Sequence, residues 1–198
     1  MDKQTEEILQ KIEEAEYVLV GLGQEFDMEF FLQSREDYRR IREQLQQQNV
    51  LWLLPYVEEQ FRRQYLPEME AEIEKGLQKL AKVLEKKSYF VVSSSLNHKL
   101  AEVPWKKMLL KKERFVAPCG DWTKKQCPDG CEEGIQTVTE ADEEQLQESF
   151  KKLQTNGFSV PDLGKCPKCG KKLVLNNVYA GRYDEKGYLK TWTEYQNW

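Results

Sequence analysis

Four cysteines in two close pairs are the residues of this sequence best suited to chemistry. Cys127 and Cys131 enclose Pro-Asp-Gly, and Cys166 and Cys169 enclose Pro-Lys and precede a glycine. Proline and glycine favour tight turns, so both thiolates of a pair can point at one position. Zinc prefers four soft ligands in a tetrahedron, at Zn–S distances of roughly 2.3 Å. We therefore predict a structural zinc site closed by all four cysteines; two disulfides or free buried thiols are the alternatives.

Composition predicts a water-soluble globular protein of one domain with an insert. The chain has 198 residues, 32% of them charged and 39% hydrophobic, and a net charge of −4. No apolar run approaches the ~20 residues of a membrane span. The odd number of cysteines and a start that is neither basic nor apolar predict a reducing, cytoplasmic compartment. The lysines at 106–107 and 111–112 are expected to be solvated rather than a nucleic-acid track, although a zinc ribbon can bind nucleic acid.

Apolar patterns predict the elements that position the cysteines. Helical periodicity covers residues 6–16 and 32–86, and short apolar runs at 17–20, 89–93 and 114–117 predict strands. The first run has no polar alternation, so we expect it to be buried on both faces of a parallel sheet. Strands that alternate with helices predict an open α/β sheet whose consecutive strands are parallel neighbours. A helix capped by Thr139 is expected over 139–153, within the cysteine-bearing segment.

Two polar segments follow the predicted strands, at the edge where ligands of parallel sheets bind. Gly21-Leu22-Gly23 leaves the first strand, and its glycines allow the backbone to approach a phosphate. Gly-x-Gly alone is common, and the third glycine of the dinucleotide fingerprint is absent. Ser93-Ser94-Ser95-Leu96-Asn97-His98 leaves the second strand and carries the only histidine of the chain. In such a loop a single histidine is more often a hydrogen-bonding residue than a catalyst.

A strand ending Gly-x-Gly, a helical region, a Tyr-Phe-Val-Val strand with a polar loop and a four-cysteine ribbon together resemble the sirtuins, over roughly residues 17–183. The resemblance implies a Rossmann-like parallel sheet domain with an inserted zinc ribbon, and NAD-dependent protein deacylation or ADP-ribosyl transfer. The implied divisions are an NAD-binding part at 1–118, the ribbon at 119–182 and a return segment at 183–198. NAD, a protein substrate or partner, and structural zinc are the implied ligands.

The resemblance also assigns site residues. Gly21 and Gly23 would contact the diphosphate of NAD, although Glu25, beside them, would repel it. The family's Thr-Gln-Asn-Ile-Asp corresponds to the serine-rich loop, so Ser95 and Asn97 stand where the asparagine and aspartate of the nicotinamide pocket are expected. His98 would line the same pocket.

Cys119 stands at the position of the sirtuin catalytic histidine, within Ala-Pro-Cys-Gly. A thiol has an unperturbed pKa of about 8.5, which a cationic neighbour lowers, so Cys119 could serve as the general base. A small buried residue or a spare thiol outside the metal site is the alternative. Some sirtuins lack the histidine and transfer ADP-ribose, which keeps an enzymatic function open.

The last residues predict an aromatic helix face, because Tyr188, Trp192, Tyr195 and Trp198 are spaced by four, three and three. Nothing follows for this face to pack against, so we expect a sequence cut short of its natural end, or a partner that completes the core. The leading hypothesis is a divergent NAD-binding sirtuin-like protein. The alternative is a catalytically inactive zinc-ribbon module that binds another protein, and a nucleotide titration separates the two.

Overall fold

The computed structural model of the chain describes residues 3–105, 114–131 and 135–198. The helices in these ranges are α1 (Lys3–Glu14), α2 (Glu29–Leu32), α3 (Glu36–Gln47), α4 (Leu54–Tyr65), α5 (Pro67–Leu84), α6 (Lys99–Glu102), α7 (Glu140–Gln154) and α8 (Leu189–Gln196). The strands are β1 (Tyr17–Leu22), β2 (Ser88–Ser93), β3 (Phe115–Val116), β4 (Gly120–Gln126), β5 (Gln136–Thr137) and β6 (Val174–Asn177). The lysine pairs at 106–107 and 111–112 lie outside the described residues.

The first sheet is parallel, with strand order β1–β2–β3. β1 pairs with β2 in register, from Tyr17 opposite Ser88 to Leu22 opposite Ser93, and β3 pairs with the other side of β2. The carboxyl ends of β1 and β2 therefore lie at one edge of the sheet. This pairing confirms the predicted α/β fold with a parallel sheet.

The prediction that the first strand is buried on both faces is wrong. Tyr17 and Leu19 are 58% and 55% exposed, whereas Val18 and Val20 pack against the core. β1 is an outer strand of this sheet: one of its faces packs against the core, and Trp198 partly covers the other at Tyr17. More continuous burial is found in β2, at the centre of the sheet, where Tyr89, Phe90 and Val91 are all buried.

The helical region predicted over 32–86 forms as α3, α4 and α5, and its breaks follow from local chemistry. Asn49 adopts a φ of 57°, in the left-handed region that asparagine tolerates, and separates α3 from the next turn. Pro55 and Pro67 lie in the first turns of α4 and α5, where a missing N–H leaves no hydrogen bond unmade.

The aromatic residues scattered through this region form part of the core. Tyr38, Trp52, Tyr56 and Phe61 are between 0% and 7% exposed, and Tyr65 packs at the margin of the same cluster. Burial of such large side chains contributes about 1.5–3 kcal/mol each in transfer free energy. The core therefore lies between the helices and the ribbon, beneath the candidate site.

The cysteine-bearing segment forms a second sheet, antiparallel, with order β5–β4–β6. α7 follows β5 and begins at the predicted N-cap: the Asp142 carboxylate accepts the Thr139 N–H at 2.8 Å, and the Thr139 hydroxyl accepts the Asp142 N–H at 3.3 Å. Ribbon residues such as Trp122 and Leu175 share one hydrophobic cluster with α3 and α4. This cluster thus contains residues from both sides of position 118.

The aromatic face of α8 packs against the parallel sheet, which corrects the expectation that it has nothing to cover. Phe90 on β2 meets Tyr195 and Trp198 with ring centroids 5.2 and 6.0 Å apart. The Trp198 indole N–H donates to the Ser88 hydroxyl at 2.8 Å, and its ring lies 5.8 Å from that of Tyr17. α8 therefore covers the central strand of the sheet.

Among the described residues, no helix combines the length and the apolar character needed to cross a membrane.

A buried carboxyl group on α4 makes stability depend on pH. Glu58 is 3% exposed and accepts a 2.7 Å hydrogen bond from the Tyr38 hydroxyl. Burial raises the pKa of Glu58 to about 7 from 4.5, although this hydrogen bond and Arg62 oppose the shift. Between these values the folded state holds a proton that the unfolded state has released.

We therefore expect the free energy of unfolding to fall as pH rises from about 5 to about 8. The contribution of Glu58 is full below its unfolded pKa and is lost as pH rises through its folded pKa, with a limit of about 3 kcal/mol. Urea denaturation across this range measures it. Glu58→Gln should reduce the decline, whereas Glu43→Gln, at an exposed position of α3, should leave it unchanged. An unreduced decline in Glu58→Gln would assign the pH dependence to another group.

Candidate functional site

The two cysteine pairs converge, as their spacing predicts. Ligand atoms of Cys127, Cys131, Cys166 and Cys169 all lie within 4.8 Å of one another, and the structure has no disulfide. Cys127 follows β4 directly, and the second pair occupies the loop before β6. Cys119 is not part of the cluster. The arrangement could hold one metal ion.

Each pair is held by a turn that ends in a glycine. The Gly130 N–H donates to the Cys127 carbonyl at 3.0 Å, and the Gly170 N–H donates to the Cys166 carbonyl at 2.8 Å. The two glycines have φ values of 67° and 74°, which favour glycine because it lacks a Cβ. The turns thus explain why a glycine stands just before the second cysteine of the first pair and just after that of the second pair.

The thiols of the cluster share their protons unequally: neighbouring thiols raise the pKa of Cys131 to about 12, and the pKa of Cys169 is also raised, whereas that of Cys127 falls. Burial opposes ionisation of Cys127, but the backbone N–H groups of Cys131 and Asp129 and the neighbouring thiols lower its pKa to about 6. The Lys171 ammonium pairs with Asp129 at 2.8 Å and so links one cysteine turn to the other. Cys127 and Cys166 are buried, whereas Cys169 is exposed. Four thiol donors in a partly buried cluster fit zinc.

At the carboxyl end of β1, the Glu25 carboxylate is hydrogen-bonded to the backbone of the Gly-x-Gly segment. Glu25 Oε1 accepts the Gly23 N–H at 3.2 Å. A Cβ at Gly23 would lie 2.1 Å from this carboxylate, so with any other residue at position 23 the exposed Glu25 side chain would have to move away. Gly21 lies near the same edge of the sheet, and a Cβ added there would meet no atom within 4 Å. Glu25 therefore covers the amide that would face a phosphate.

The serine-rich loop after β2 is tied to Asp27, a residue that the sequence analysis did not select. Asp27 Oδ1 accepts the Ser95 hydroxyl at 2.6 Å and the Leu96 N–H at 2.8 Å. The Asn97 side chain donates to the Phe26 carbonyl at 3.2 Å. Burial raises the pKa of Asp27, although these hydrogen bonds oppose the shift. Ser95 and Asn97 are 2% and 6% exposed, so they now hold the two strand-end loops together.

His98 lies in a buried cluster that joins three elements. Its Nδ1 lies 2.5 Å from Glu59 Oε2 on α4, and its Nε2 lies 3.3 Å from the exposed carboxylate of Glu102. The Trp122 indole, on β4, donates to Glu59, and the His98 and Trp122 ring centroids are 4.9 Å apart. Burial raises the pKa of Glu59, but His98 and Arg63 outweigh it and the net shift is downward.

Glu59 was missed by sequence reasoning, and the signal in the sequence is weak. It stands beside Glu58, directly after Leu-Pro-Tyr-Val in α4, and it is 0% exposed. Since buried carboxylates need partners, such a position predicts a hydrogen-bonding or charged neighbour. It does not predict which one.

Cys119 lies in the turn between β3 and β4 and is half-buried. Burial raises the pKa of its thiol, and the negative charge of Asp27 raises it further. A thiol of raised pKa carries little thiolate at neutral pH, which weakens it as a base or nucleophile. A cleft of about 210 Å³ beside this turn is lined by Gly120, Tyr183 and Tyr188, among others.

Two solved structures resemble the chain in fold: a histidine-to-asparagine mutant and a serine-to-alanine mutant of a Sir2 homologue, each in complex with ADP-ribose. The first has a TM-score of 0.48 and the second 0.47. Each alignment has 15% sequence identity and covers 96% of this chain and 68% of the solved chain. No family model matches the chain, and no curated protein sequence matches it. Both structures are of the family whose order of parts this sequence resembles, and the likeness is one of fold alone.

Proposed function

We propose that this chain is a zinc-stabilised, sirtuin-like protein that acts by binding another protein and does not deacylate lysine with NAD. The main observation in support of the proposal is the hydrogen bond that the Gly23 N–H donates to the Glu25 carboxylate. A backbone amide already bonded to a carboxylate offers no hydrogen bond to a phosphate, and the carboxylate repels a diphosphate.

The other residues of the implied catalytic site support the same proposal. The Ser95 hydroxyl donates to Asp27, and the Asn97 side-chain amide donates to the Phe26 carbonyl. The Cys119 thiol has a raised pKa, and the only imidazole, His98, is engaged by Glu59. Loss of a positioned general base alone costs about 10²–10⁴ in rate.

Zinc is proposed as the structural metal of the ribbon. Cys127, Cys131, Cys166 and Cys169 would hold it, and all four ligand positions would be protein thiolates. Such a closed site leaves no position for a reacting water. The ion would stabilise the fold without entering the chemistry.

NAD-type nucleotide binding is the second candidate function. The observation that favours it is the alignment of the Gly21 and Ser93 strand ends at one edge, as in sheets that bind nucleotides. The cleft of about 210 Å³ next to Cys119 lies by the end of the third parallel strand. In this candidate, Glu25 would have to leave Gly23 before the nucleotide binds.

We expect nicotinamide release from NAD, in the presence of an acetyl-lysine peptide, to remain at least about 10²-fold below that of an active sirtuin assayed in parallel. The reason is that, among the described residues, neither the Cys119 thiol nor the His98 imidazole is a free base at the carboxyl edge of the parallel sheet. Cys119→Ala should leave the residual rate unchanged. Robust peptide-dependent release that Cys119→Ala abolishes would instead establish a thiol-assisted enzyme.

The same protein should bind NAD weakly, and Glu25→Ala should bind it more tightly by roughly tenfold, because a competing carboxylate is removed. Isothermal titration with NAD measures both. Glu16→Ala, an exposed site just before β1, is the matched control and should not change the affinity. Tight NAD binding by the unmodified chain would favour the second candidate.

A further inference from the structure

A second cleft, of about 240 Å³, lies between α4 and α7, on a part of the molecule that the sirtuin resemblance does not use. Its lining includes two aromatic residues, one arginine and three glutamates: Tyr56, Arg63, Trp122, Glu140, Glu143 and Glu144. Thus α4 and β4 contribute the aromatic side chains of the lining, and α7 contributes its carboxylates.

The glutamates give this cleft an excess of negative charge. Glu140, Glu143 and Glu144 share one face of α7, because residues three and four apart are neighbours on a helix. All three are exposed, and none of them forms an ion pair with any residue of the described ranges. Arg63, the cation of the lining, is already paired with Glu59. In the described lining of the cleft, three carboxylates therefore face a single cation, Arg63.

The capping box of α7 does not use these glutamates, although Glu140 and Glu143 lie in the first turn of the helix. Acidic residues in a first turn are favoured by the helix dipole, and this alone would place charge there. The capping box of α7, however, is made by Thr139 and Asp142, and Asp142 also pairs with Lys125. Glu140, Glu143 and Glu144 are left without a structural partner in the described structure.

The aromatic part supplies an independent indication of a ligand. Tyr56 and Trp122 are 5% and 6% exposed, and their rings meet edge to face with centroids 5.4 Å apart. The Trp122 indole is bonded to Glu59, but the Tyr56 hydroxyl has no hydrogen-bond partner within residues 3–105, 114–131 and 135–198. Burial, and then the charge of Glu143, raise the pKa of Tyr56 to about 12, so this hydroxyl stays protonated beside the acidic residues. The Tyr56 side chain is only 5% exposed, but its hydroxyl oxygen is not among the fully buried atoms that lack a partner, so it opens into the cleft and can bond to a ligand there.

We propose that this cleft binds a cationic side chain, lysine or arginine, presented by a partner protein. The carboxylates would pair with the cationic group, the apolar stem would lie against the aromatic rings, and the Tyr56 oxygen would accept one N–H. A hard metal ion fits less well, because it requires about six to eight oxygen ligands and the aromatic rings of this lining offer none. This inference rests on the proposed protein-binding function and names the partner's chemistry.

Titration of the zinc-loaded full chain with blocked pentapeptides tests it. The probes are acetyl-Gly-Gly-Lys-Gly-Gly-amide, its arginine counterpart and an uncharged norleucine counterpart, followed by amide NMR shifts. We expect saturable shifts in α7 with dissociation constants on the order of 1–10 mM for lysine or arginine, weaker at high salt. The norleucine peptide should not saturate. NAD is not used in this assay. A negative result would therefore overturn the cleft proposal without testing whether the chain deacylates lysine with NAD.

Two variants locate the site. Replacing Glu140, Glu143 and Glu144 by glutamine should weaken binding at least tenfold, whereas glutamine at the exposed Glu7, Glu43 and Glu68, with the same change of charge, should not. Tyr56→Phe keeps the ring packing and should weaken binding about threefold or more. Equal binding of norleucine, equal weakening by both triple variants, or no effect of Tyr56→Phe in a folded protein would each overturn the proposal.

Discussion

Replacing Cys166 and Cys169 together by serine is expected to abolish metal binding and to unfold the ribbon. Two of the four thiolates are then lost, and the remaining pair cannot close a tetrahedron. Apparent binding free energies of structural zinc are about 10–16 kcal/mol, as large as the whole net stability of a typical domain, about 5–15 kcal/mol. Metal analysis of protein purified without chelator should find close to one zinc per chain, and none in the double variant.

Unfolding should extend beyond the ribbon. Cys127 and Cys166 belong to the hydrophobic cluster that also contains residues of α3 and α4. Loss of the metal therefore removes one wall of the helical core, and circular dichroism should report a loss of helix as well. In a protein whose ribbon were an independent attachment, the helical signal would survive.

Cys119→Ser is the matched control, because Cys119 lies outside the cluster of four. It should keep its zinc and its thermal transition. Metal retained by the Cys166→Ser, Cys169→Ser double variant would contradict the assignment. So would disulfides between the pairs in protein kept under reducing conditions.

The convergence of the four cysteines could be predicted from sequence because its determinants are local. Two cysteines on a tight turn carry their own geometry, and a glycine at the required positive φ marks the turn, as at Gly130 and Gly170. The N-cap at Thr139 was predictable for the same reason, since its partner Asp142 is three residues away. The order of the parallel strands needed only the alternation of strands and helices.

The sheet-edge site could not be predicted, because its partners are distant in sequence. Nothing near His98 indicates that Glu59, from a different helix, lies 2.5 Å from its Nδ1. Likewise, Asp27 and Ser95 meet only when two loops converge. A resemblance-based assignment of Ser95 to a nicotinamide pocket could not include this internal hydrogen bond.

Exposure of β1 shows a different limit. An apolar run predicts a strand but not its place in the sheet, and an outer strand can keep an apolar face when another element partly covers it. Here that element is α8, whose Trp198 lies against Tyr17. The aromatic face of α8 was predicted from its spacing, but the surface that it covers depends on how the chain returns to the first sheet.

A buried ion pair between β4 and α7 gives the second large expected effect. The Lys125 ammonium donates to both carboxylate oxygens of Asp142, at 2.9 and 2.7 Å, and to the Leu163 carbonyl at 2.9 Å. The two side chains are only 9% and 8% exposed. Burial alone would raise the pKa of Asp142, but Lys125 and Thr139 outweigh it and the net shift is downward.

We expect Lys125→Met to lower the free energy of unfolding of the zinc-loaded protein by about 3–5 kcal/mol at pH 7, because a buried carboxylate loses its counter-charge. Urea denaturation measures it, and the double variant Lys125→Met, Asp142→Asn should lose less than the sum of the single variants. Since the folded pKa of Asp142 is depressed, its contribution is present above the unfolded value of 3.8 and is lost as pH falls through the folded one. The acid-side loss should therefore shrink in Lys125→Met. Additive single effects would show that the two charges act independently, and Lys124→Met, on the exposed neighbour of the same strand, provides the control.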